Sequence, residues 1–168
     1  MNWAEYNIIC KGMRADLDKM SVDEEYFNKF AITLKNALIS GKVRFPDSLQ
    51  QEYNDVSVYR GVKYTSQKKM IDKTDFLSYI EVHKNNPLFM VDDSNISSYS
   101  CSCFLDIEEL HMQTKFPSKN KAIAKGIIRQ EYGPIDINEK TSHVDWYLFD
   151  NIDPSDRFEV VEKWEKNG

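Results

Sequence analysis

Val56-Ser57-Val58-Tyr59-Arg60-Gly61-Val62 is the stretch on which the reading of this 168-residue chain turns, because here apolar and polar side chains first alternate in strand fashion. Upstream, the spacing is helical. Trp3, Tyr6, Cys10, Met13, Leu17 and Met20 fall on one helix face, and Ser21 before Val22-Asp23-Glu24 opens a second helix with acidic residues in its first turn. The stripe of that second helix is Val22, Tyr26, Phe27, Phe30, Ala31, Leu34, Ala37 and Leu38, and Gly41 supplies its stop. Downstream of Phe45-Pro46, helices are short and strands dominate. A short helical stretch is expected over Asp47 to Tyr53, a helix over Thr74 to His83 with Phe76, Leu77 and Ile80 on one side, and a second strand from Ser97 to Phe104. Asp106 with Glu109 three residues on forms a capping box for a helix through Leu110 and Thr114. Further strands are predicted over Ala122 to Glu131, His143 to Phe149 and Arg157 to Glu162, with a polar, turn-prone loop from Glu131 to Ser142. Helices first and strands afterwards give an α+β fold with antiparallel or mixed pairing. The expectation is one domain over 1–168, with a helical layer at 1–45 and a strand-rich core at 46–168.

The composition narrows the function. With 27 acidic against 22 basic side chains, the formal charge is −5, which disfavours general nucleic-acid binding but leaves room for one phosphate held by a local arginine. No apolar run approaches the roughly 20 residues of a membrane span. Asn2, Glu5 and Asp16 interrupt any secretory signal, and Cys10, Cys101 and Cys103 make an odd, unpaired set, so a cytoplasmic protein with reduced thiols is expected. Cys101, Cys103 and His111 lack a fourth ligand at zinc-site spacing, so no metal is expected.

Three polar clusters interrupt the strands. Arg60 ends a strand run before glycine; alone it reads as an edge-strand arginine paired with a surface carboxylate, and with corroboration its guanidinium suits a bidentate phosphate contact. Ser98, Ser100 and Ser102 alternate with Tyr99, Cys101 and Cys103, which puts three hydroxyls on one strand face and the thiols toward the core. His143 and Asp145 alternate with Val144, Trp146 and Leu148, so with Tyr147 they face away from the core, as a proton-transfer pair or a plain ion pair. A Cys-His-Asp nucleophile does not follow from this pattern, because the thiols face away from the serines and nothing sets them beside His143.

The order and spacing of these clusters resemble the Arg, Ser-Thr-Ser and Glu-x-Glu regions of the R-S-E class of mono-ADP-ribosyltransferases, the bacterial toxin and phage enzymes that use NAD. The residues concerned are Val58-Tyr59-Arg60-Gly61-Val62, Ser98-Tyr99-Ser100-Cys101-Ser102 and His143-Val144-Asp145. Ala124-Lys125-Gly126-Ile127-Ile128, Asp145-Trp146-Tyr147-Leu148-Phe149 and Phe158-Glu159-Val160-Val161 resemble that family's later strands, and the leading helices its helical layer. The sequence departs from the family at three positions: Cys101 replaces the usual threonine, Asp145 the catalytic glutamate, and His143 the Glu or Gln that helps choose the acceptor.

The resemblance implies helices packed on a core of two small antiparallel or mixed sheets, and transfer of ADP-ribose from NAD to a protein acceptor with release of nicotinamide. It implies Arg60, Ser100 and Asp145 as the catalytic set. Arg60, Gly61, Ser98, Ser100 and Ser102 would bind NAD, with Ser98 or Ser102 as alternatives to Ser100 as the motif serine, and His143 would lie on the acceptor side. Cleavage of a glycosidic bond develops positive charge on the ribose, which is why a carboxylate belongs there. Tyr59 and Tyr99 are expected in the core. Two rival readings are a catalytically silent fold of this type serving as a nucleotide- or protein-binding module, and a plain interaction protein.

Overall fold

The computed structural model describes residues 23–164, so the helix expected from Trp3 to Met20 lies outside the described residues. The second expected helix is two pieces: residues 23–27 are helical, and α1 spans Ile32–Ile39. The break falls at Phe30, which forms an antiparallel bridge with Phe149 and buries its ring against Tyr26, Phe45 and Phe149. Tertiary packing of one aromatic outweighs helix continuation at that residue. Gly41 adopts φ +69° just beyond α1, as a C-terminal stop requires. Asp47 to Tyr53 is not helical; Gln50 instead exchanges two backbone hydrogen bonds with Ile135, at 2.8 and 3.0 Å.

The segment from Thr74 to His83 is likewise divided. A 3₁₀ turn, Lys73–Phe76, is closed by a reciprocal Asp72/Asp75 capping box, and α2, Tyr79–His83, restarts behind a Ser78/Glu81 box. Two complete caps six residues apart specify two short helices rather than one. The expected strand over Ser97 to Phe104 begins late. Asn95 accepts from the Ser97 N–H at 3.0 Å and nucleates a 3₁₀ turn, Ile96–Tyr99, so that β2 covers only Cys101–Phe104. Helix α3, Ile107–Thr114, is capped by Asp106, which accepts from Glu108 and Glu109, but the expected box is not closed: the Asp106 N–H goes to Ser142 Oγ at 3.3 Å instead of to Glu109.

The strands are β1, Val56–Lys63; β2; β3, Lys121–Ile128; β4, Ile135–Asn138; β5, His143–Trp146; and β6, Phe158–Lys163. Strand β4 lies within the expected loop from Glu131 to Ser142, where Ile135 and Ile137 alternate with Asp136 and Asn138. The two sheets expected from the resemblance are one six-stranded sheet in the order β4-β5-β2-β1-β3-β6, antiparallel throughout. The joint between its halves is narrow. Strands β1 and β3 pair along eight residues, whereas β1 and β2 share the single register pair Tyr59 and Phe104.

Cys101, Cys103, Val58, Val144, Trp146 and Phe158 belong to one buried cluster, so the thiols face the core as expected. Tyr99 and Tyr59 also pack in hydrophobic clusters. Tyr147 departs from expectation. It follows the end of β5 and is buried under the N-terminal helices, its ring 5.0 Å from that of Phe45, instead of sharing an open face with His143 and Asp145. Among the described residues no helix is long and apolar enough to cross a membrane.

Candidate active site

Ladder geometry brings the serine and carboxylate clusters together. In the β2–β5 pair Ser102 stands opposite Asp145 and Phe104 opposite His143, so side chains forty residues apart in sequence share one face. Ser100 lies at the mouth of β2 and puts its hydroxyl 2.5 Å from Asp145 Oδ1, while Ser97 donates to Oδ2 at 3.0 Å. The two serines reach the same carboxylate because they lie three residues apart around a 3₁₀ turn, whose repeat is three. Ser100 is 4% exposed and Asp145 9%, so this carboxylate is held by protein donors rather than by bulk water.

Beside it, Ser102 Oγ lies 2.6 Å from His143 Nε2, and His143 Nδ1 lies 3.8 Å from Asp145 Oδ2. The Phe104 ring packs edge-on against the imidazole, with centroids 5.0 Å apart. Asp136 on β4 stands in register with Asp145, which adds a second carboxylate to that face, and its Oδ1 is buried without a hydrogen-bond partner.

Arg60 enters from the other half of the sheet, past the single β1–β2 register pair. Its Nε donates to the Asp75 carbonyl at 2.6 Å, its Nη2 to the Leu77 carbonyl at 3.3 Å, and its Nη1 to the Ser102 carbonyl. The first two acceptors flank the end of the 3₁₀ turn whose Asp75 carboxylate is 3% exposed and bound by Lys68 Nζ at 2.7 Å and by the Lys63 and Asp72 N–H groups. Arg60 thus ties β1 both to this turn and, through the Ser102 carbonyl, to β2, and its guanidinium also meets the Cys103 side chain.

These groups line one cleft of about 410 Å³, bounded by Arg60, Ser97, Ser98, Ser100, Ser102, His143 and Asp145 on one side and by Leu77, Tyr79, Val82, His83 and Asn95 on the other. That is a volume typical of small-ligand sites. Gly61 is elsewhere: it lines a separate hollow with Val62, Lys63 and Thr114, on the side of α3. Cys103 is fully buried, which pushes its thiol well above the ordinary value, and it faces away from the cleft.

Sequence reasoning reached Arg60, Ser98, Ser100, Ser102, His143 and Asp145. It missed Ser97, whose signal was Asn95 two residues earlier, an Asx-turn spacing that favours a turn over a strand. It also missed the rim formed by Tyr79 and His83, whose rings lie 4.4 Å apart, with Phe89 stacked on His83 at 4.2 Å. The chain matches no protein-family model, no curated protein and no solved structure.

Proposed function

We propose that this chain is an NAD-dependent mono-ADP-ribosyltransferase of the R-S-E type, acting on a protein acceptor. One observation carries the reading: Arg60, Ser100 and Asp145, from three sequence clusters spread over some 85 residues, line a single cleft, with the Ser100 hydroxyl on the Asp145 carboxylate.

In this reading NAD is the substrate. Asp145 faces the nicotinamide ribose and stabilises the positive charge that develops as the glycosidic bond lengthens, while Ser97 and Ser100 fix the carboxylate. Arg60 faces the phosphate on the nicotinamide side, and Ser98 and Ser102 line the same cavity. His143, partly exposed beside Ser102, meets the acceptor. Aspartate is one methylene shorter than the glutamate it replaces, and a displacement of roughly an ångström costs about a hundredfold in rate.

Incubation with NAD and measurement of free nicotinamide tests the proposal. Release is expected from the native chain, lost in Asp145→Ala and increased in Asp145→Glu; release that survives Asp145→Ala removes the carboxylate from the reaction and overturns the assignment. The engagement of Arg60 with three backbone carbonyls favours a second reading, a catalytically silent fold that binds nucleotide or protein. An NAD-dependent rise in Tm without any nicotinamide release selects it.

A further inference from the structure

We propose that Ser102 is a base-activated nucleophile, served by His143 and oriented through Asp145, which gives the cleft a capacity for acyl transfer on carboxylic esters. The inference rests on a close Ser102–His143 contact with Asp145 near the opposite ring nitrogen and does not depend on the NAD reading. Ser102 Oγ is 2.6 Å from His143 Nε2, and the opposite ring nitrogen, Nδ1, faces Asp145 Oδ2 at 3.8 Å. A nucleophile in hydrogen-bond reach of a base, with the base turned toward a carboxylate, is the geometry that activates serine in unrelated folds.

The surroundings supply what that geometry needs. Ser102 is exposed within the cleft, so an electrophile can approach its hydroxyl. Phe104 packs against the imidazole edge-on and limits its rotation. Asp145 is fixed by Ser97 and Ser100, so the oriented carboxylate does not swing away from Nδ1. In the tautomer that carries its proton on Nδ1, on the Asp145 side of the ring, Nε2 is the lone-pair nitrogen that accepts the Ser102 proton. Arg60 donates through Nη1 to the Ser102 carbonyl, which holds the backbone of the nucleophile in place, and it lines the same cleft.

The step balances with these groups alone. Ser102 Oγ bonds to the ester carbonyl carbon while its proton passes to His143 Nε2. The C–O bond to the alcohol portion then breaks, the oxygen keeps the bonding pair, and the proton on Nε2 leaves with it as the alcohol. Water repeats the sequence on the acyl-serine, releasing the carboxylic acid and restoring the hydroxyl.

The test uses the full chain and a fluorophosphonate probe, with p-nitrophenyl acetate as the ester. One adduct per chain is expected, mapped by peptide mass spectrometry to Ser102, absent from heat-unfolded protein and from Ser102→Ala. His143→Gln is expected to slow labelling about a hundredfold or more, the usual contribution of a positioned base. The adduct map comes from the native chain, so it holds even where a variant folds poorly. No adduct in the folded protein, an adduct on another residue, or labelling equal in His143→Gln and the native chain overturns the inference. None of these readouts involves NAD, so the acyl-transfer and ADP-ribosylation assignments fail or survive separately.

Discussion

Replacing Arg60 separates two roles for that side chain. A phosphate ligand waiting in a cleft is a desolvated cation, and its removal leaves stability unchanged or raises it. A clamp behaves otherwise. Arg60 donates to the carbonyls of Asp75 at 2.6 Å and Leu77 at 3.3 Å in and after the 3₁₀ turn and to that of Ser102 on β2, and so fastens β1 to the turn and to the β2 half of the sheet, which only one register pair joins. Hydrogen bonds from a charged donor are worth about 1.5–3 kcal/mol each. Two of the three have good geometry, so Arg60→Met should cost about 3–5 kcal/mol. Arg60→Lys keeps the charge, but one ammonium cannot span acceptors on both sides of the joint, so a loss of about 2–4 kcal/mol is expected. Urea denaturation with an unchanged m-value measures both. A loss below about 1 kcal/mol in Arg60→Met would refute the clamp and return the guanidinium to ligand binding alone.

The Ser100–Asp145 bond can be isolated with a double-mutant cycle. Ser100→Ala should cost about 1.5–3 kcal/mol in the native background and about 0.5–1.5 kcal/mol beside Asp145→Asn, because a neutral acceptor loses less when its donor is removed; equal costs in the two backgrounds would deny the pairing. Tyr147 gives a pH prediction. Its hydroxyl is buried without a partner, and burial, then Asp145 and Asp136, push the phenol above its ordinary value. Below about pH 10 folded and unfolded chains both hold that proton; above it the unfolded chain releases it and the native one does not, so stability falls by about 1.4 kcal/mol per pH unit. Tyr147→Phe should therefore be neutral to stabilising at pH 7 and show a shallower alkaline loss by urea titration at pH 7 and pH 11; parallel curves would contradict the burial of an unpartnered phenol.

The elements legible in the sequence are those whose signals are local. Alternation at the start of β1, the Asp106 cap of α3 and the Gly41 stop are fixed by neighbours within a few residues, and each stands where expected, whereas the strand expected over Ala122 to Glu131 ends at Ile128 before a 3₁₀ turn. The misreadings occur where a local pattern supports two structures. Ser98-Tyr99-Ser100-Cys101-Ser102 alternates like a strand throughout, yet its first half follows the Asn95 turn. Phe30 continues a helical stripe, yet its burial against Phe45 and Phe149 ends the helix. Strand β4 hid in a polar stretch because two isoleucines are too few to outweigh flanking turn residues.

The candidate site divides in the same way. Which residue types carry chemistry, and that Ser102 and the His143-Asp145 pair would stand on faces opposite the thiols and Trp146, could be read from period-two alternation alone, since a strand allows no other placement of successive side chains. Which of them meet was decided by topology: β5 inserts beside β2 in a register that sets Ser102 against Asp145, and β1 touches β2 at one pair, leaving Arg60 to bridge the gap. Such pairing depends on hydrogen bonds between segments forty residues apart, and no local propensity encodes it.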